Sequence, residues 1–189
     1  MRLMILGGPG SGRTTQALQL AAALEVKVIS TGELLRDAIA LETELGQQVK
    51  SLVEKGEFVP DEFMIEFIKL RLRRSDVSNG WILEGYPRTA FQAEELDFLL
   101  EERQQVIDFA ISLEIEAEVL MERSLSRARP DDTPEAIQRR IDLHQDLTLP
   151  MLEYYELRGK LLRIDGNQPI PQVTQQILQG LEQSSSDLG

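Results

Sequence analysis

The sequence predicts an α/β protein built on a five-stranded parallel sheet with helices on both faces, a three-layer arrangement. Three observations carry that prediction. Five short apolar runs, at residues 3–6, 26–29, 81–83, 109–113 and 161–164, have the length of buried strands. Stretches of helical periodicity separate them, and alternating strands and helices imply parallel pairing with helical crossovers. A glycine-rich segment lies between the first run and the first helical stretch.

The first strand runs straight into glycines rather than toward a cleavage site, so it reads as a buried strand and not as a signal peptide. In the helix that follows, Ala17, Leu20, Ala21 and Leu24 recur at i, i+3, i+4 and i+7 and form one apolar face. About fifty residues then separate the second and third strands, more than one crossover needs, so residues 30–59 read as an inserted helical subdomain. Pro60, Asp61 and Glu62 open a further helix, whose inward face is read from Phe63, Phe67 and Leu70. Trp81 begins the third strand as a core residue. Asp132, Thr133, Pro134 and Glu135 give a cap, a first-turn proline and an acid, and the helix they start is expected to bend near Pro150. The polar tail, residues 183–189, is expected to fray.

Composition narrows the function. The chain has 189 residues, enough for one substantial domain with inserts, and no apolar run long enough to span a membrane. Zero cysteines and one histidine exclude disulfides and thiolate metal sites and disfavour zinc, and they suit a reducing cytoplasm. A net charge of −12 disfavours nucleic acid and anionic membranes. Of the 20 basic residues, 15 are arginine, the side chain that grips phosphate at two points. Lineage codon bias and a cleft that concentrates positive charge explain that excess equally well.

The strongest local motif is Gly7-Gly8-Pro9-Gly10-Ser11-Gly12-Arg13-Thr14-Thr15, between strand one and helix one. Glycines let successive backbone N–H groups turn inward around a phosphate, and the helix N-terminus adds partial positive charge. Gly7 and Gly12 have Walker A spacing and Thr14 supplies the hydroxyl, but Arg13 stands at the lysine position. The dinucleotide pattern fails, because its third glycine would fall on Arg13 or Thr15.

From Met1 to about Leu181 the chain resembles the adenylate kinases. The loop GGPGSGRTTQ is similar to their GGPGSGKGTQ. Ser30-Thr31-Gly32-Glu33-Leu34-Leu35-Arg36 resembles STGDMLR, and Gly56-Glu57-Phe58-Val59-Pro60-Asp61-Glu62 resembles GELVPDE. Glu84-Gly85-Tyr86-Pro87-Arg88-Thr89, followed by Gln92, resembles DGFPRT, and Arg123, Arg127, Arg129, Asp131-Asp132 and Arg140 match the spacing around the family's lid.

The resemblance implies a single P-loop kinase domain: a core of residues 1–29, 60–126 and 133–182, a monophosphate-binding insert at 30–59, and a very short lid at 127–132. It implies that Gly10, Ser11, Gly12, Arg13, Thr14 and Thr15 hold ATP, with Arg123 over the adenine, Arg127 at the phosphates, and Gly166 and Gln168 in the loop passing the base. It places AMP against Thr31, Arg36, Glu57, Phe58, Val59, Gly85, Tyr86, Pro87, Arg88 and Gln92. Arg129 and Arg140 would sit between the nucleotides, so the catalytic set is Arg13, Arg88, Arg127, Arg129 and Arg140. Thr31 and Thr89 follow the adenylate pattern, whereas uridylate and cytidylate kinases resemble SAGD and carry asparagine after FPR. Only Ala128 separates Arg127 from Arg129, where long-lid relatives insert a segment that sometimes holds zinc; the chain resembles short-lid cyanobacterial adenylate kinases without structural zinc. Mg²⁺ entering with ATP, no nucleic-acid or membrane partner, and a cytoplasmic monomer complete the expectation.

Three charged positions depart from the family: Arg13 for lysine, and Glu33 and Glu84 for aspartates expected around the magnesium shell. Two readings follow: a kinase with a rebuilt phosphate site, or a nucleotide-binding protein on the same fold with weak or lost catalysis. Asp108, Glu114, Glu116 and Glu118 read as a solvated acidic stretch. His144, where relatives have tyrosine, reads as a packing residue.

Overall fold

Every strand of the sheet is parallel to its neighbours in the computed structural model, which describes residues 1–129 and 132–187. The strands are β1 (Arg2–Leu6), β2 (Lys27–Ser30), β3 (Trp81–Glu84), β4 (Phe109–Glu114) and β5 (Leu161–Asp165), in the order β2-β3-β1-β4-β5. The register sets Ile5 beside Glu84 on one side and Ile111 on the other. Because the chain leaves β1 toward β2 and returns to β4 on the opposite side, the C-terminal end of β1 lies at the point where the strand order reverses, where open α/β sheets bind ligands.

Strand alternation divides the apolar side chains between two layers. Met4, Leu6, Leu83 and Ala110 face α4 (Asp61–Leu72), α5 (Ala90–Glu101) and α8 (Leu149–Glu156), together with Leu35 and Val49 of the insert. Leu3, Ile5, Ile82 and Ile111 face α1 (Arg13–Leu24) and α9 (Ile170–Asp187), whose Val173, Ile177 and Leu181 recur at i, i+4 and i+8. Trp81 is buried as expected.

The insert folds as two helices, α2 (Thr31–Ala40) and α3 (Glu44–Lys55). Thr43 caps α3 by accepting from Gly46 N at 3.0 Å. In α4 the buried face is Met64, Ile68 and Leu72; Phe63 and Phe67 are only partly buried, and Leu70 is 50% exposed. The helix is apolar on more than one side, and its neighbours choose a face rotated from the one the sequence suggests. Asp108 also differs from expectation: its carboxylate accepts from Arg2 N at 2.6 Å and closes the start of β1.

After α6 (Ala117–Arg127), α7 (Pro134–Leu143) starts as predicted, with Thr133 Oγ1 accepting from Ala136 N at 3.2 Å. The bend near Pro150 takes the form of a π-helical turn, His144–Thr148, which joins α7 to α8. Pro150 has no N–H for an i→i−4 bond, and the turn ahead of it widens so that Leu149 N donates to His144 O. α9 continues to Asp187 through most of the tail expected to fray. Pro130 and Asp131 of the expected lid, and Leu188 and Gly189 of the tail, lie outside the described residues.

Candidate functional site

The glycine loop leaves β1 and enters α1 with Gly10 and Gly12 at φ +79° and +89°, conformations that side chains with a Cβ resist. At Gly10 a Cβ would also stand 2.6 Å from Leu120 O, so glycine is required twice over. The loop ends at Gly12, and Arg13 begins the helix.

Beside it lies a cleft walled by Pro9 and Arg13 of the loop and by Thr31, Arg36, Glu57, Phe58 and Val59 of the insert. Glu84, Gly85, Arg88 and Gln92 after β3, and Arg127, Arg129 and Arg140 from α6, the lid and α7, complete the wall. Six arginines converge there against two lining carboxylates, Glu57 and Glu84. Burial, with repulsion from Arg13 and Arg140 and against the pull of Glu84, lowers the basicity of Arg88 to about 10. Burial also lowers Arg13, with Glu84 opposing. Guanidiniums crowded this way are short of negative charge, and a polyanionic ligand supplies it.

Glu84 sits at the centre of the cluster. Its Oε1 is 3.3 Å from Arg13 Nε, and its Oε2 accepts the Ser30 hydroxyl at 2.6 Å. Burial alone would raise its pKa, but Arg13, the Ser30 hydrogen bond, Arg88 and Arg129 outweigh that and hold it below the usual carboxylate value. Arg88 Nε donates to Gly85 O at 2.9 Å. Asp132, its carboxylate inaccessible to solvent, ties Arg127 at 2.9 Å to Arg140 at 3.0 Å and so joins the end of α6 to α7.

The structure brings most of the predicted residues together, but not all. Gly10, Ser11, Gly12, Thr14 and Thr15 form the loop and first turn without lining the cleft. Tyr86 is buried, its hydroxyl donating to Gln92 O at 3.2 Å, and it supports the wall without facing it. Pro87 lines a second, smaller cavity that opens between the loop and α7. Arg123 donates to Gly166 O at 3.1 Å, so the two expected walls of an adenine slot touch each other; neither reaches the cleft, and Gln168 is turned to Asp165 and Gln176. Glu33, expected beside Glu84, is exposed on the first turn of α2 and lines neither cavity. The amide of Gln92 is already held, accepting from Arg88 N and donating to Asp61, both at 2.7 Å.

Sequence reasoning did not assign Ser30, Asp61, Asp132 or Thr148. The first three stand inside or beside the quoted motifs, so position in a motif could have found them. No local signal marks Thr148.

His144 lines the smaller cavity with Arg13, Arg88 and Arg140. Burial, then Arg13 and Arg88, push its imidazole down to about 4. The unfolded chain therefore takes up this proton near pH 6.5 and the folded chain only near 4, so acidification across that window favours unfolding. His144→Phe is expected to remove about 2 kcal/mol of the stability lost between pH 7 and pH 4.5, measured by urea unfolding of both proteins without nucleotide. Equal losses in the two proteins would refute it.

Among the described residues, no group of three or more His, Asp or Glu side chains is placed to hold a metal ion, and no helix is long and apolar enough to cross a membrane. The adenylate kinase family model matches residues 5–160. The chain is 56% identical to adenylate kinase 2 of Nostoc sp. over 178 residues, covering 94% of this chain and 97% of that one. It is 52% identical to adenylate kinase 2 of Synechocystis sp., covering 94% and 98%, and 41% identical to the adenylate kinase of Stenotrophomonas maltophilia, covering 96% and 100%.

Proposed function

Since the chain belongs to the adenylate kinase family and is a nucleoside monophosphate kinase, we propose that the six-arginine cleft is where it moves a phosphoryl group. The reaction is ATP + AMP giving two ADP. The observation that carries the assignment is the convergence of Arg13, Arg36, Arg88, Arg127, Arg129 and Arg140 from separate segments on one cleft beside the glycine loop.

Phosphoryl transfer needs no protein nucleophile. It needs two phosphates aligned, charge stabilised on the oxygens, and water kept out. In this reading the loop and Arg13 hold the donor phosphates, with Arg127 beside them. Arg36 and Arg88 hold the AMP phosphate, and Arg129 and Arg140 neutralise the charge that develops between. Thr31, Glu57, Phe58, Val59 and Gln92 receive the adenosine, and Arg123 parts from Gly166 O to admit the base of ATP. Residues 30–59 and the lid at 127–132 close over both.

Mg²⁺ suits this site as a companion of ATP. Glu84 contributes one buried carboxylate held below the usual carboxylate value, which would hold the ion through its waters. Its chemistry when bound is charge neutralisation on the phosphates. The absence of cysteine and the charge of −12 support the accompanying reading of a cytoplasmic monomer with no nucleic-acid partner.

No feature of the cleft favours the alternative of a nucleotide-binding protein without catalysis, since Arg13 is paired with Glu84 rather than stranded. The test is ADP production from ATP with each of AMP, UMP, CMP and GMP. AMP is expected to be preferred in kcat/KM by about a hundredfold or more, because a mismatched base leaves buried polar groups unpaired. Equal rates with UMP would overturn the adenylate assignment.

A further inference from the structure

The π-helical turn His144–Thr148 borders the smaller cavity, whose other walls come from the glycine loop, the segment after β3 and α7. His144, Leu147 and Thr148 share one face of it, lining the cavity formed with Gly7, Pro9, Arg13, Arg88 and Arg140. At one end, the Thr148 hydroxyl donates to Arg88 O at 3.2 Å, and Thr148 is buried. At the other, His144 packs over the glycine loop. A Cβ placed on Gly8 would collide with Leu120 of α6 and come within 3.3 Å of His144 Cδ2, so the loop at Gly8 lies close against both side chains.

We propose that this turn is a spacer fixing the separation of the glycine loop from Arg88, with His144 and Thr148 as positioning residues for phosphoryl transfer. The proposal rests on the reading that the loop carries the donor and Arg88 the acceptor. Neither residue needs to touch a nucleotide. Each holds a backbone that does: Thr148 the segment bearing Arg88, His144 the loop at Gly8. Pro150 keeps the turn wide from outside the site by denying it an α-helical hydrogen bond.

The electrostatics suit a spacer of this kind. The charged groups facing His144 are Arg13, Arg88 and Arg140 across the smaller cavity, and Glu114 and Arg163 across a neighbouring one. An uncharged ring adds no repulsion to the three arginines, and the imidazole is held neutral at physiological pH. The part His144 plays is then one of shape, which an uncharged ring of another kind can supply.

The test is a double-mutant cycle read in kcat and KM. Thr148→Val and His144→Ala are each expected to lower kcat about tenfold, with KM for ATP and AMP within about threefold, because the nucleotides still bind but the phosphates are misaligned. The double variant is expected to be little worse than either single, since each change releases the same constraint. Thr148→Ser, which keeps the hydroxyl, and His144→Phe, which keeps a neutral ring, are expected to recover kcat to within about threefold, with the pH profile from 5.5 to 8 unchanged in the phenylalanine variant. Unaltered kcat in both single variants, multiplicative losses in the double, or failure of Thr148→Ser to recover turnover would each overturn the spacer alone. If the unaltered protein made no ADP from ATP and AMP, the functional reading and the spacer would fall together.

Discussion

Arg88→Ala is expected to lower kcat by about a thousandfold, or ~4 kcal/mol of barrier, and to raise KM for AMP as well. The side chain is fixed by its Nε bond to Gly85 O, and among the described residues no ion pair claims its two terminal nitrogens, the pair that can grip a phosphate. Its burial beside Arg13 and Arg140 disfavours the charged form and lowers its basicity. Removing it should therefore leave the thermal midpoint unchanged or slightly raised while turnover collapses, the separation expected of a charge kept for its ligand rather than for the fold. Initial rates at saturating ATP and AMP, with melting curves of the same preparations, decide it. A kcat within tenfold of the unaltered enzyme would remove Arg88 from the catalytic set.

Arg13→Lys is expected to lower kcat by about ten- to a hundredfold, Glu84→Asp to do the same, and the two together to recover most of the loss. Arg13 uses Nε to meet Glu84 at 3.3 Å, so the planar guanidinium still presents its other nitrogens to a phosphate. A lysine has one nitrogen for both tasks. Glu84 is long enough to reach Arg13 while accepting from Ser30, and an aspartate would have to give up one partner. The longer acid and the wider base thus fit each other, and a lysine–aspartate pair would restore a match in the opposite sense. The measurement is kcat for the four proteins of the cycle with ATP affinity determined in parallel. A rise in turnover on Arg13→Lys alone would show that the arginine impairs the site.

By itself the sequence determined the sheet, the glycine loop and the arginine set. Each of these is written in local pattern: apolar runs of strand length, glycines at fixed spacing before a helix, and motif residues whose order survives without knowledge of contacts. The tertiary structure decided the rest. It chose Met64, Ile68 and Leu72 over the Phe63–Phe67 side as the buried face of α4, because a helix with apolar residues on several sides takes its phase from its neighbours. It turned Glu33 to solvent while burying Glu84, and it closed Arg123 onto Gly166 instead of leaving them apart. It joined Glu84 to Ser30, 54 positions away, and Thr148 to Arg88, 60 positions away. Periodicity and motifs report only what a residue's near neighbours require of it. Which distant side chains share a hydrogen bond follows from strand order and helix packing, and in a sheet ordered β2-β3-β1-β4-β5 those bring together segments that the chain keeps far apart.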